Sequence, residues 1–242
     1  MTNRVPLILL PGLLCDEALY AHQTTHLADM ADMRVADLTR HDSIEEMARA
    51  VLDAAPDRFS LLGLSMGGYV AQHVALMAPD RVARLALLDT NARSDNDEQR
   101  ARRRGLIELA QKGQFKGVTD RLLPLLVHDR HLENTQVVET VKAMAQHVGK
   151  EAFLRQQAAL LGRADQRDRL GEIRCPTLVL CGREDKLSPV KVHAEMHRLL
   201  PISKLVVVED CGHLPPLEQP VATTAVLRYW LQEIAGMDRA GD

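Results

Sequence analysis

The chain has 242 residues, 46% of them hydrophobic and 26% charged, the balance of one soluble globular domain long enough to bury a full core. A net charge of −3 supplies no basic surface for nucleic acid or an anionic membrane, and aromatic residues at 3% are too few for a stacking platform. The expected partner is a small molecule in a pocket lined by Leu, Val, Ile, Met and Ala; a homodimer is left open.

In chain order, Val5–Leu10 reads as a buried strand. No small-residue cleavage site follows it, and no run reaches the roughly 18–20 apolar residues that cross a bilayer, so a cytoplasmic location is expected. Asp16–Met30 has the spacing of a helix and Met33–Leu38 that of a second strand. Ser43 is placed to cap a helix running to Ala55, with Glu46 completing a capping box. Phe59–Leu64 follows as a third strand, Met66–Ala78 as a helix, and Val82–Leu88 as a fourth strand. Continuous apolar strands separated by helices predict a mostly parallel sheet covered on both faces.

From Asn91 to about Gly171 the chain is charged and helical in pattern, with Ser94 and Asp97 expected to open its first helix. The alternation then resumes with strand Thr177–Cys181, helix Val190–Leu200, strand Lys204–Val208 and helix Glu218–Ile234. Residues 1–90 and 172–242 are therefore expected to form one core, and 91–171 an insertion between its strands.

The chemistry is concentrated in Gly63-Leu64-Ser65-Met66-Gly67. A bare G-x-S-x-G carries little information; its position after an apolar strand and at the start of a helix is the context a nucleophile elbow requires. Glycines two positions either side of Ser65 relieve a turn too tight for side chains, and the helix start supplies unpaired N–H groups where an oxyanion would form. Serine alone is a weak nucleophile near neutral pH, so a base and a group that orients it are needed. Asp185 and His213 each fall in a loop just past the carboxyl end of a late strand, on the same sheet edge as Ser65 and in the order Ser, Asp, His. Asp89 also ends a strand; Asp185 is preferred because its loop lies beside the strand that presents His213. Met66 N–H is one expected oxyanion donor, and Leu13 N–H, in the loop after the first strand, is the second.

The motifs LLPGLLCD, GLSMGG, GREDKLSP and CGHLPPLEQP, in this order, resemble the α/β-hydrolase superfamily, nearest its compact bacterial branch of esterases and lactonases, which includes pimeloyl-acyl carrier protein methyl esterase and 3-oxoadipate enol-lactonase. The resemblance covers nearly the whole chain and is weakest over Ser94–Arg169. It implies an α/β-hydrolase fold, Ser65 as nucleophile, His213 as general base and acid, Asp185 as its orienter, Leu13 and Met66 as oxyanion donors, and a helical cap formed by the insertion. Many relatives carry His-Gly where this chain has Pro11-Gly12. Only four residues precede Val5, so about six strands are expected in place of eight.

The implied reaction is cleavage of a small carboxylic ester or lactone through an acyl-enzyme, with no metal or organic cofactor. A triad-bearing lyase of the cyclohexadiene synthase kind, an acyltransferase and a non-enzymatic ligand receptor are the alternatives on this scaffold. The remaining polar residues read as structural. His22 with His26, and His193 with His197, have helical spacing but no third metal ligand. Glu184 and Asp210 read as solvated loop charges, and Arg100, Arg102, Arg103 and Arg104 as a solvated cap face. Cys15, Cys175, Cys181 and Cys211 match no metal or redox spacing and read as packed thiols.

Overall fold

Six apolar segments pair side by side, all parallel, in the order β2-β1-β3-β4-β5-β6. A computed structural model describes residues 4–237, so the ends of the expected core at 1 and 242 lie outside the described residues. The strands are β1 (Val5–Leu10), β2 (Ala31–Val35), β3 (Phe59–Leu64), β4 (Val82–Leu88), β5 (Thr177–Gly182) and β6 (Ser203–Val208). Successive side chains of a strand point to opposite faces, and the core divides accordingly. Leu7, Leu9, Leu62, Leu64 and Leu180 pack on one face with Tyr20, Leu27 and Trp230. Ile8, Leu10, Leu61, Leu85 and Val179 pack on the other with Met47, Val70 and Met196.

The helices are α1 (Ala21–His26), α2 (Ile44–Ala54), α3 (Met66–Met77), α4 (Asp97–Leu109), α5 (Leu123–Leu126), α6 (Thr135–Gly162), α7 (Val190–Leu199), α8 (Pro215–Glu218) and α9 (Pro220–Met237). All of α4, α5 and α6 lie between β4 and β5, where no strand is described. The long α6 is kinked at Gly149, whose φ of 75° interrupts the helical backbone.

Four local expectations are corrected. Asp16–Met30 is not one helix: Asp16 caps a 3-10 turn, Glu17–Tyr20, and α1 ends at His26, where Leu27 turns the chain back toward the sheet. The second strand starts earlier, at Ala31, because its register is set by pairing with Val5 rather than by its own apolar residues. Helix α4 is opened by Asn96, not Ser94; the Asn96 side chain accepts from Gln99 N–H while the Gln99 side chain accepts from Asn96 N–H. The last helix is split, since α8 closes at Glu218 and α9 starts at Pro220, whose ring cannot continue a helix from the preceding turn. Ser43 does cap α2, by accepting from Glu46 N–H at 3.1 Å.

The topology determines where a site can form. The chain leaves β1 toward the β2 edge and leaves β3 toward the β4 edge, so the loops after these neighbouring strands diverge and open a crevice at the carboxyl ends.

Candidate active site

Ser65 sits at that crevice, between β3 and α3, with φ 53° and ψ −113°, a region L-residues rarely adopt. The strain is held by close backbone packing. A Cβ on Gly63 would lie 2.3 Å from Gly67 O, and one on Gly67 would lie 2.2 Å from Leu10 O. Only glycine fits either position, so the flanking glycines are dictated by the turn itself. Ser65 N–H is anchored by Leu88 O at 3.0 Å, and the Thr90 hydroxyl donates to Ser65 O at 2.8 Å.

The loops after β5 and β6 bring the other two expected residues to Ser65. His213 Nε2 is 2.8 Å from Ser65 Oγ, and His213 Nδ1 is 2.8 Å from Asp185 Oδ2. The tautomer that satisfies both contacts has Nδ1–H donating to Asp185 and Nε2 accepting the Ser65 hydroxyl. Asp185 Oδ1 accepts from Leu187 N–H at 2.8 Å and Ser188 N–H at 3.0 Å. Burial pushes the Asp185 carboxyl up, but the His213 charge, its hydrogen bond and the two amides outweigh burial and hold it below its ordinary value. A carboxylate kept ionised against burial is what orients an imidazole and stabilises it when it takes a proton.

It is Asp185 that hydrogen-bonds His213. Asp89 lies behind it at φ 43°, and its Oδ1 accepts Gly182 N–H at 2.9 Å. Its carboxyl is driven well above the ordinary value, first by burial and then by the charge of Asp185. Asp89 Oδ2 meets no donor, and a neutral acid whose O–H faces Asp185 accounts for both facts. Asp89, Asp185 and His213 are the one group among the described residues with metal-compatible spacing. Both nitrogens of His213 are already engaged by Asp185 and Ser65.

The expected oxyanion donors flank Ser65. Met66 is the first residue of α3, so its N–H has no acceptor within the helix. The Leu13 loop approaches closely, with a Cβ on Gly12 falling 3.4 Å from Ser65 Cβ. Gln156 of α6 fixes this loop, its Oε1 accepting Leu14 N–H at 3.1 Å while its Nε2 donates to Leu38 O.

Gln156 was not singled out in the sequence, and neither was Glu218. The buried Glu218 carboxylate accepts from Gly212 N–H at 3.0 Å, Leu214 N–H at 2.9 Å and His128 N–H at 2.6 Å. Burial raises this carboxyl, and the three amides oppose the rise. A glutamate in a proline-flanked run five residues past His213 was the available signal. Glu184 is corrected from a solvated charge to a loop brace, because its Oε2 accepts Cys211 N–H at 3.0 Å. Asp210 pairs with Arg130 at the surface.

The other polar residues fall in ordinary surroundings. His22 and His26 stack at 3.9 Å, and His193 is buried with Nε2 accepting Thr90 N–H. Burial pushes the Cys15 thiol up to about 12 and raises Cys211 further, so neither offers a thiolate beside the site.

Ser65 and His213 open into a cavity of about 1140 Å³ whose wall includes Leu13, Leu106, Phe115, Val118, Leu122 and Phe153. Most of that wall comes from the helical stretch between β4 and β5. No helix among the described residues is long and apolar enough to cross a membrane.

The sequence profile of the alpha/beta hydrolase family matches residues 7–226. A pimeloyl-[acyl-carrier protein] methyl ester esterase of Photobacterium profundum is 29% identical over 227 residues, covering 86% of this chain and 84% of its own. An esterase of Thermogutta terrifontis, solved with malate bound, superposes with a TM-score of 0.86 at 32% identity, over 95% of this chain and 90% of that one. The enol-lactonase of Burkholderia xenovorans has the same fold, with a TM-score of 0.86 at 24% identity over 96% and 92% of the two chains. With its six-stranded parallel sheet, elbow serine and a family match over nearly its full length, this chain belongs to the α/β-hydrolase family.

Proposed function

We propose that the protein is a serine hydrolase that cleaves a small carboxylic ester or lactone through an acyl-enzyme on Ser65. The observation that carries this reading is the hydrogen-bonded row Asp185–His213–Ser65, with both links at 2.8 Å. His213 takes the Ser65 proton as Oγ attacks the carbonyl carbon, and Asp185 stabilises the imidazolium that forms. The developing oxyanion is received by Leu13 N–H and Met66 N–H, aided by the positive end of α3. His213 then returns the proton to the leaving oxygen, which departs as an alcohol from an ester or stays on the acyl chain as a hydroxyl from a lactone. Water deprotonated by His213 releases the acyl group as a carboxylic acid and restores Ser65. Helices α4 to α6 act as the cap, keeping bulk water from the cavity and supplying its apolar wall.

The names of the relatives support the ester class, since a methyl ester esterase and an esterase are among the more similar proteins. The test is a panel of 4-nitrophenyl esters, lactones and thioesters of graded acyl length, run on the wild-type protein and on Ser65→Ala. The expected outcome is turnover by wild type that drops by at least about 10³-fold in Ser65→Ala. Unchanged turnover in that variant contradicts the assignment.

A further inference from the structure

We propose that the substrate carries a carboxylate as well as the scissile ester, and that Arg103, Arg102 and Arg121 form the subsite that binds it. This rests on the reading of Ser65 as the hydrolase nucleophile and names the substrate class of that same cavity.

The first observation is a sign reversal. The chain as a whole is net negative, at −3. The cavity wall nevertheless includes Arg102, Arg103, Lys116, Arg121 and Arg163, and no Asp or Glu side chain. A cleft lined by one sign of charge concentrates ligands of the other sign.

The second observation is how these cations are held. Arg163 is buried, stacked over the Tyr69 ring at 4.3 Å, with Nη2 2.8 Å from the buried Asp95. Arg103 Nε donates to the other Asp95 oxygen at 2.6 Å, and Arg103 Nη1 donates to Gln157 Oε1 at 2.9 Å. Two guanidinium groups thus share one buried carboxylate, leaving a built positive site. Tyr69, over which Arg163 stacks, is the fourth residue of α3, and Tyr69 and Ser65 both line the cavity.

The third observation is where the exposed cations without an ion pair lie. On the same helical stretch Lys112 pairs with Glu108 at 2.6 Å and Lys142 with Asp120 at 2.8 Å, and neither lysine borders the cavity. Among the described residues, Arg102, Lys116 and Arg121 have no ion pair, although all three border the cavity. Arg102 is as exposed as the equally unpaired Arg104, in keeping with the solvated-face expectation, but Arg102 and the half-buried Arg103 border the cavity and Arg104 does not. Guanidinium groups bind carboxylates bidentately, and the apolar residues that share the cavity wall, Leu106 and Leu122 among them, suit a short methylene chain. The ligand class is an ester or lactone of a dicarboxylic acid with its second carboxyl free.

The experiment compares 4-nitrophenyl hydrogen glutarate with 4-nitrophenyl valerate, a neutral ester of the same chain length, using the full-length protein. The expected result is a kcat/KM ratio favouring the anionic ester by about tenfold or more, diminished by added salt. The double variant Arg102→Gln/Arg121→Gln lowers the ratio about tenfold, whereas Arg104→Gln leaves it unchanged. A ratio at or below one, or a preference that survives the double variant, overturns the proposal. Calorimetry of Ser65→Ala with monomethyl glutarate and dimethyl glutarate reads the subsite without turnover. Binding of the monoester alone is expected, and equal or absent binding in a folded protein overturns it. If neither nitrophenyl ester is hydrolysed while the monoester still binds, the hydrolase reading fails and the subsite stands.

Discussion

Glu218 fixes His213 from both sides in sequence: one carboxylate holds the amides of Gly212 and Leu214, at 3.0 and 2.9 Å. The imidazole between them is thereby held at bonding distance from Asp185 and Ser65. The third amide on the same carboxylate, from His128, ties the histidine loop to the segment that precedes α6.

Glu218→Gln should therefore cost activity without touching substrate. The amide keeps the size but presents an NH₂ to amides that need acceptors. Leaving a buried donor unsatisfied costs about 1–3 kcal/mol, which predicts a lower melting temperature. The expected kinetic signature is a fall in kcat of about tenfold or more with KM little changed, because orientation and not binding is lost. Steady-state kinetics with one 4-nitrophenyl ester, paired with thermal unfolding, checks both. A fall confined to stability would remove the positioning role.

Asp89→Asn should be tolerated and should become more stabilising as pH rises. Burial, then the Asp185 charge, raises the native Asp89 carboxyl well above its usual range. In the unfolded chain it titrates at about 3.9. Above that pH the native state keeps a proton the unfolded state has lost, so stability falls with rising pH until the native carboxyl ionises. Asparagine removes this penalty while keeping an oxygen for Gly182 N–H and a donor toward Asp185. Urea midpoints at pH 5 and pH 8 should show a larger advantage of the variant at pH 8, with activity retained. Loss of activity with the fold intact would make Asp89 a working charge.

His193 should set part of the acid limit of stability. Burial lowers it from 6.5 to about 4, with the nearby Asp185 charge only partly opposing. The neutral ring is fixed by Thr90 N–H on Nε2 and by donation from Nδ1 to Pro189 O. Below about 6.5 the unfolded chain binds a proton that the native state refuses, so this contribution is complete above 6.5 and is lost as pH falls toward 4. The loss amounts to about 3 kcal/mol over that interval. His193→Gln keeps an acceptor for Thr90 and should flatten the decline between pH 7 and pH 4.5 in denaturant titrations. An unchanged acid limb would assign it to other groups, such as His73, which burial also lowers.

The fold was legible because the central strands β3 and β5 are buried throughout and the expected boundaries of Phe59–Leu64 and Val82–Leu88 coincide with β3 and β4. Boundaries failed where pairing or a local cap overruled periodicity, as at Ala31, Asn96 and Pro220. That Ser65, Asp185 and His213 meet was legible because each lies in a loop after a parallel strand, and such loops converge on one edge. Gln156 and Glu218 were not, because their importance lies in which distant amides they accept from. A sequence separation of 142 residues between Gln156 and Leu14 leaves no local pattern to read.

The most direct test of the central claim is rapid-quench intact-mass spectrometry of the protein mixed with a 4-nitrophenyl ester. Transient addition of one acyl group, mapped to the peptide containing Ser65 and absent from Ser65→Ala, is the predicted result. Turnover at an undiminished rate in Ser65→Ala, or product release by wild type with no acylated species at any quench time, would contradict it.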